Sequence, residues 1–232
     1  MTGASTPALL PPTLRGPLGV IAALSVLVVV AIGALYAGHS LPGRVDRWFV
    51  EPTADSVGPP LRHVALAADF LGEPAGAALL VVAVVTGCLL LRWRRAAVLV
   101  VAGPGLAVVT ATLLKPLVGR TIHGPDNLSY PSGHTAFLTA FALVAALLVT
   151  GRRGLGRAAG TALVLAAAAV AGGAMGWAQV ALGAHYPTDV LGGWCTALAV
   201  VPVTAWLVDR TADRRACRPA DRTADAGAGE HR

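Results

Sequence analysis

Ser132, Gly133 and His134 stand at the start of a long apolar segment, in SYPSGHTAF, residues 129–137. Pro131 ends the preceding loop and serine is favoured at helix N-caps, so a helix is predicted to begin at Gly133 or His134. The first turn of a helix presents backbone N–H groups that attract anions. Gly133 has no side chain to keep an oxyanion away from them. This corner therefore predicts an anion site with an imidazole beside it.

A second corner of similar type lies in LGAHYPTD, residues 182–189. Pro187 suits the first turn of a helix, because its missing N–H would have no helical partner there. Asp189 follows His185 by four residues, a spacing at which a carboxylate can hold one imidazole nitrogen and leave the other as a nucleophile. Together with His134, these residues predict a phosphate-sized anion held between two histidines.

Positive charge for such an anion is expected from KPLVGR, residues 115–120, which contains Lys115 and Arg120. Both side chains would hold phosphoryl oxygens by charge-assisted hydrogen bonds. His123 follows closely and is an auxiliary candidate. A single Ser-Gly-His or His-x-x-x-Asp pattern is common, so the prediction depends on the elements that would bring these segments together.

Those elements are predicted to be membrane-spanning helices. The 232 residues are 55% hydrophobic and 13% charged, whereas soluble domains have about 25% charged residues. A helix needs about 20 apolar residues to cross a bilayer. The predicted fold class is therefore all-α, a polytopic bundle of six transmembrane helices. Its spans fall in the uncharged apolar segments 16–43, 74–91, 96–114, 127–151, 158–188 and 190–208.

The distribution of basic residues favours one orientation of this bundle. With six spans, 13 of the 18 Lys and Arg residues fall on the side of the two termini, and the positive-inside rule places that side in the cytoplasm. The net charge of +6 then reflects topology and attraction to anionic lipid, and it requires no nucleic-acid partner. The candidate site residues gather on the outer face, where ionisable groups beside lipid are costly and usually functional.

Both ends of the chain are predicted to lie outside the bundle. Residues 1–15 are rich in Pro and Thr, and residues 210–232 form an Asp/Arg/Ala tract. The C-terminal tract has no apolar face to bury, and both segments are predicted to be disordered and cytoplasmic. The apolar segment after Arg15 is longer than the hydrophobic region of a signal peptide, and it is predicted to be a retained first helix.

The longest connection is the first outer loop, roughly residues 39–73. Its middle is predicted either to form a short helix on the membrane surface, with Trp48 among the headgroups, or to act as a tether between spans.

The fifth apolar segment, together with the residues just before it, contains two G-x-x-x-G patterns. Small residues let helix backbones approach closely within a membrane. The patterns favour a compact bundle, and they could equally bring two copies of the chain together as a homo-oligomer. They are formed by Gly156 with Gly160 and by Gly172 with Gly176.

Three segments, KPLVGR (115–120), PSGH (131–134) and QVALGAHYPTD (179–189), resemble the motifs of the type-2 phosphatidic acid phosphatase superfamily. The resemblance covers residues 40–208. It implies that residues 16–209 form a membrane phosphatase domain that acts on a lipid phosphate at the outer face of the plasma membrane. Polyprenyl pyrophosphate, phosphatidic acid and phosphatidylglycerol phosphate are the substrate classes implied.

The resemblance also implies a role for each residue. His185 would take the phosphoryl group as phosphohistidine, Asp189 would orient His185, and His134 would protonate the leaving group and then activate water. No metal or cofactor is implied. The phosphoryl oxygens would be held by Lys115, Arg120, Ser132 and the amide of Gly133.

The chain departs from the family's pattern at two places. The first motif usually ends in an Arg-Pro pair where this chain has Ile122 and His123, and the third usually begins with an arginine where this chain has Gln179. If Gln179 faces the phosphate, the loss of one such donor costs on the order of a hundredfold in rate. We hypothesise that Arg120 and His123 compensate in part.

Two other functions fit the same residues. A lipid-phosphate binding or transport protein would keep the anion cradle and lack turnover, as the missing arginines suggest. A zinc site is the other alternative, although Lys115 and Arg120 would repel a cation. Its ligands would be His123, His134, His185 and Asp189.

Overall fold

The computed structural model describes residues 8–228, with the side chains of 54–56 and 216–228 excepted. The described residues form helices and no strand, apart from an isolated bridge between Thr121 and Leu128. The helices are α1 (Pro12–Leu35), α2 (Arg44–Ser56), α3 (Pro59–Phe70), α4 (Pro74–Leu90), α5 (Arg94–Val118), α6 (Gly133–Arg153), α7 (Arg157–Ala181) and α8 (Pro187–Ala228).

Within the described residues, α1, α5, α6, α7 and α8 are each long and apolar enough to cross a membrane. The helices α3 and α4 pass the same test only as a pair, and they are bent by 60°. The prediction of an all-α bundle with six membrane segments is confirmed, with the second of them broken. The 17 residues of α4 are fewer than the roughly 20 that an unbroken span needs.

The break between α3 and α4 follows from the sequence FLGEPAG, residues 70–76. Pro74 stands in the first turn of α4, where it starts a helix and prevents the preceding one from continuing. A Cβ atom at Gly76 would lie 1.9 Å from the carbonyl oxygen of Phe70. The two helices therefore turn sharply at a contact that only glycine allows.

The segment between α1 and α4 is more structured than a tether, because it forms the helices α2 and α3. The side chain of Trp48 in α2 is 68% exposed, as expected of an aromatic residue that meets the headgroup region. Both helices pack against α7. The segment between α1 and α4 is thus folded onto the bundle.

The centre of the bundle is α6, which packs against α5, α7 and α8. Glycines of α7 make these close contacts possible. A Cβ atom at Gly172 would lie 2.2 Å from Cδ1 of Trp194, and one at Gly176 would lie 2.4 Å from Cγ1 of Val190. These glycines pack against α8 of the same chain, which supports a compact bundle as the role of the Gly172 and Gly176 pattern.

One end of the bundle collects the end of α5, the start of α6, the end of α7 and the start of α8. The opposite end holds the turns before α5 and α7, where the guanidinium of Arg152 lies over the ring of Trp93. At that end the backbone N–H groups of Leu9 and Leu10 donate to the Asp209 carboxylate over 3.0 and 2.9 Å. The candidate residues of both corners belong to the first end.

The structure differs from the disorder predicted for the two ends of the chain. Residues 12–15 belong to α1, and Leu9 and Leu10 are buried; residues 1–7 lie outside the described part. The helix α8 continues beyond residue 210, as far as Ala228. Its first turn past that point is anchored, since Asp213 lies 2.9 Å from Nη1 of Arg95. These contacts join residues that are far apart in the sequence. They leave no periodic pattern there, so the sequence did not predict them.

Candidate active site

The two corners identified in the sequence are in direct contact. The backbone N–H of Ser132 donates to the carbonyl oxygen of Asp189 over 2.9 Å. A Cβ atom at Gly193 would lie 2.3 Å from the carbonyl oxygen of Ser132. The starts of α6 and α8 therefore cross so closely that a side chain at position 193 would collide with the backbone. This crossing brings the two segments PSGH and HYPTD into one site.

His185 lies beside Asp189 in this site. Its Nδ1 atom is 3.8 Å from Oδ2 of Asp189, which is longer than a hydrogen bond. This Nδ1 atom is buried and has no hydrogen-bond partner among the described residues. The same Oδ2 atom accepts the backbone N–H of Tyr186 over 3.0 Å, which caps the start of α8. The carboxylate is thereby fixed next to the imidazole.

Arg120 is joined to Asp189 on the side away from the histidine. Its Nη1 atom donates to Oδ1 of Asp189 over 2.7 Å and to the hydroxyl of Thr188 over 2.5 Å. Its Nη2 atom donates to Oδ2 of Asp46 over 2.7 Å. The guanidinium is fully buried and lies over the ring of Tyr36.

This arrangement differs from the phosphate-binding role expected for Arg120. Both Nη atoms are used by carboxylates and a hydroxyl, and the side chain has no exposed surface. The buried Nε atom has no partner among the described residues. Arg120 therefore holds Asp189 in place and has no surface open to an anion.

Asp46 is a buried residue that the sequence motifs did not indicate. Its Oδ1 atom accepts from the backbone N–H and the hydroxyl of Thr188 over 3.0 and 2.8 Å. Its Oδ2 atom accepts from the N–H of Gly43 over 2.9 Å and from Arg120. Asp46 thus caps the starts of both α2 and α8. The helix α2 is tied through it to the site.

The corner at the start of α6 has the geometry predicted for an anion cradle. Ser132 is buried, and its Oγ atom accepts from the N–H of Thr135 as the N-cap. Apart from its chain neighbours and the backbone of its own helix, no atom lies within 4 Å of the position of a Cβ at Gly133, so space is open at this helix start. The ammonium of Lys115 is half-buried and donates to the carbonyl oxygen of Leu128 over 2.8 Å, which leaves two of its three N–H groups.

His134 faces α3 and the break that follows it. Its Nε2 atom is 3.6 Å from Oδ1 of Asp69. A Cβ atom at Gly72 would lie 2.4 Å from Cδ2 of His134, so the imidazole occupies the space that the glycine leaves. Gln179 is buried, and its amide nitrogen donates to the same Oδ1 atom of Asp69 over 2.6 Å. The donor of Gln179 is therefore taken by Asp69.

His123 lies at the edge of this end of the bundle. It is exposed, and its Nε2 atom is 2.7 Å from the carbonyl oxygen of Gly183. This contact ties the loop after α5 to the turn before α8. No group of three or more His, Cys, Asp or Glu side chains that could hold a metal ion occurs in the described part of the chain. The zinc alternative therefore has no support in the geometry.

Comparison with protein families matches residues 96–213 to the model of the PAP2 superfamily. The chain belongs to the PAP2 superfamily. The matched segment contains both corners and the basic motif, so the resemblance drawn from those motifs is confirmed. Comparison with curated proteins gave no match.

Comparison with solved structures also gave a match with the PAP2 fold. The chain is similar to a transmembrane PAP2 type phosphatidylglycerolphosphate phosphatase from Bacillus subtilis, with a TM-score of 0.64 and 22% sequence identity. The match covers 83% of this chain and 96% of that chain. The protein is therefore a multi-pass membrane protein with the fold of a PAP2 phosphatase.

Two carboxylates in this site, Asp46 and Asp69, were not among the site residues predicted from the sequence. Both come from the segment before α4, outside the three motifs. A weak signal was present for Asp69, because it precedes the Gly72 and Pro74 break in a helix with few other charges. No comparable signal marks Asp46.

Proposed function

We propose that this PAP2 protein is an integral membrane phosphatase that hydrolyses a lipid phosphate through a phosphohistidine intermediate. The contact between the N–H of Ser132 and the carbonyl oxygen of Asp189 supports the proposal most directly. It joins an anion-binding helix start to a histidine–carboxylate pair, which is the combination that phosphoryl transfer to histidine needs.

In the first step, Nε2 of His185 attacks phosphorus and the bond from phosphorus to the leaving oxygen breaks. His134 gives its proton to that oxygen. Asp189 stabilises the positive charge that develops on the ring of His185. In the second step, His134 takes a proton from water, the resulting hydroxide oxygen attacks phosphorus, and the bond from phosphorus to Nε2 breaks.

The phosphoryl oxygens are held at the start of α6. The amide of Gly133 and the first-turn N–H groups donate to them, with the hydroxyl of Ser132 and the ammonium of Lys115 nearby. Arg120 acts through Asp189, since its Nη atoms are occupied. His123 and Gln179 act indirectly, because each holds a neighbouring group in place. His123 contacts the carbonyl oxygen of Gly183, and Gln179 donates to the carboxylate of Asp69.

The substrate class follows from the surroundings of the site. Basic turns lie at the opposite end of the bundle, which by the positive-inside rule supports a site at the extracytoplasmic face. The exposed Trp48 of α2 belongs to the same end, and it would place the site beside lipid headgroups. A lipid monophosphate such as phosphatidylglycerol phosphate or phosphatidic acid, or polyprenyl pyrophosphate, meets these conditions.

The test is phosphate release by the purified protein in detergent, with a panel of lipid phosphates and with a chelator present. We expect release that persists in chelator and disappears in His185→Ala, together with an acid-labile phosphoprotein that forms only with His185 present. His63→Ala is the matched control, because His63 is exposed on α3. Unchanged release in His185→Ala would rule out the intermediate. Tight binding without release would favour the binding or transport alternative.

A further inference from the structure

Asp69 is a carboxylate in the site with no role in the mechanism above. It lies one residue before the end of α3, and its side chain is 21% exposed. Its Oδ1 atom accepts from Gln179 over 2.6 Å and lies 3.6 Å from Nε2 of His134. No other carboxylate among the described residues lies within 4 Å of that imidazole.

The local fold brings Asp69 to this place. The chain turns by 60° after α3, and Gly72 lies against the ring of His134, with no side chain between them. Gln179, on α7, holds the carboxylate from the other side. Position 69 is therefore fixed by α3, by the break after it and by α7 together.

From this geometry we propose that Asp69 is a positioning residue whose charge favours the protonated, proton-donating form of His134, and that residue 179 acts through Asp69. The inference rests on the proposed phosphatase function. A carboxylate near an imidazole favours the imidazolium, which must be present when the leaving oxygen is protonated. Gln179 orients the carboxylate by a hydrogen bond without neutralising it, so the negative charge of Asp69 still acts on His134.

This role of Asp69 explains why a neutral side chain at position 179 suits the site. An arginine there would pair with Asp69 by a charge-assisted hydrogen bond and would neutralise it. Glutamine keeps the orienting hydrogen bond without that effect. The departure from the family's third motif is thus accompanied by a carboxylate on α3, which the neutral side chain leaves charged.

The test compares two substrates that need the acid to different degrees. A lipid phosphate has a basic alkoxide leaving group that requires a proton, whereas p-nitrophenyl phosphate releases a stable phenolate. We expect Asp69→Asn to lower kcat/KM, which reports phosphoryl transfer to His185 and not the later hydrolysis, at least about tenfold for the lipid phosphate, with a change of less than about threefold for p-nitrophenyl phosphate. His134→Ala should show the same split, and Gln179→Ala a smaller one.

A matched control and a double variant distinguish positioning from a structural effect. Glu51→Gln removes an exposed charge from α2, at the same end of the bundle, and should leave the ratio of the two rates unchanged. Asp69→Asn should add nothing to His134→Ala on the lipid substrate. Equal losses on both substrates, or additive losses in the double variant, would overturn the positioning role. The phosphatase proposal would still stand if His185→Ala were inactive.

Discussion

Nη2 of Arg120 lies 2.7 Å from Oδ2 of Asp46, and both side chains are fully buried. Nη1 of the same guanidinium lies 2.7 Å from Oδ1 of Asp189. One cation thus joins α2 to the start of α8 and to the carboxylate beside His185. Buried ion pairs are costly to desolvate and persist when further hydrogen bonds satisfy both partners, as Thr188 and the N–H of Gly43 do here.

The first prediction concerns Asp46. We expect Asp46→Ala to destabilise the protein by about 3–5 kcal/mol, because it leaves Arg120 buried with one partner fewer. Phosphate release should fall as well, since Asp189 loses part of its support. Thermal unfolding in detergent and the lipid phosphatase assay measure the two effects.

The matched control for Asp46 is Asp213, whose carboxylate pairs with Arg95 but is 64% exposed. Asp213→Ala should cost less than about 1 kcal/mol, because solvent screens exposed pairs. Similar losses from the two variants would mean that burial does not determine the strength of these pairs.

The second prediction separates positioning from phosphate binding at Arg120. A lysine keeps the charge but cannot reach two carboxylates and a hydroxyl with one planar fork. We therefore expect Arg120→Lys to lower kcat by at least about tenfold while KM changes little. Steady-state kinetics on one lipid phosphate measures both constants. A large rise in KM with kcat retained would show that Arg120 contacts the substrate.

The third prediction uses the open space beside Gly133. Alanine at this first helical position should fold normally, because no atom lies within 4 Å of the new Cβ. The methyl group would occupy the space proposed for a phosphoryl oxygen, so kcat/KM should fall roughly tenfold to a hundredfold. Inhibition by vanadate, a phosphate analogue, should weaken in parallel.

Gly105 provides the control for Gly133, since it also has nothing within 4 Å of a Cβ and lies within α5, away from the site. Gly105→Ala should leave both vanadate inhibition and turnover unchanged. Full activity in Gly133→Ala would remove the amide of Gly133 from the proposed anion cradle.

The sequence predicted those parts of the candidate site that are formed by short segments. Ser132 and Gly133 at a helix start, and Pro187 with Asp189 at another, carry their own capping signals. The apolar segments predicted the helices, so the two corners could be assigned to one end of the bundle. The hydrogen bond between the N–H of Ser132 and the carbonyl oxygen of Asp189 was not itself predicted.

The remaining features depend on pairs that are far apart in the chain. Asp46 and Thr188 are separated by 142 positions, and Asp69 and Gln179 by 110. No periodicity connects such residues, and each acid alone looks like an ordinary loop or helix-end residue. The ion pairs of Arg120 with Asp46 and Asp189 were not predicted for this reason, because a basic residue beside a phosphate motif suggests an anion when its buried carboxylate partners are unknown.

The last prediction concerns the glycines of α7. A Cβ atom at Gly176 would lie 2.4 Å from Val190, whereas one at Gly173 would meet nothing within 4 Å. Gly176→Ala should therefore cost about 1–3 kcal/mol through overpacking against α8, while Gly173→Ala should be neutral or slightly stabilising. Thermal unfolding in detergent measures both.

If Gly176 instead serves a dimer interface, chemical cross-linking of the wild-type protein should give a dimer that Gly176→Ala abolishes, with its thermal stability unchanged. Because the glycine already faces Val190 of its own chain, we expect the loss to appear in stability.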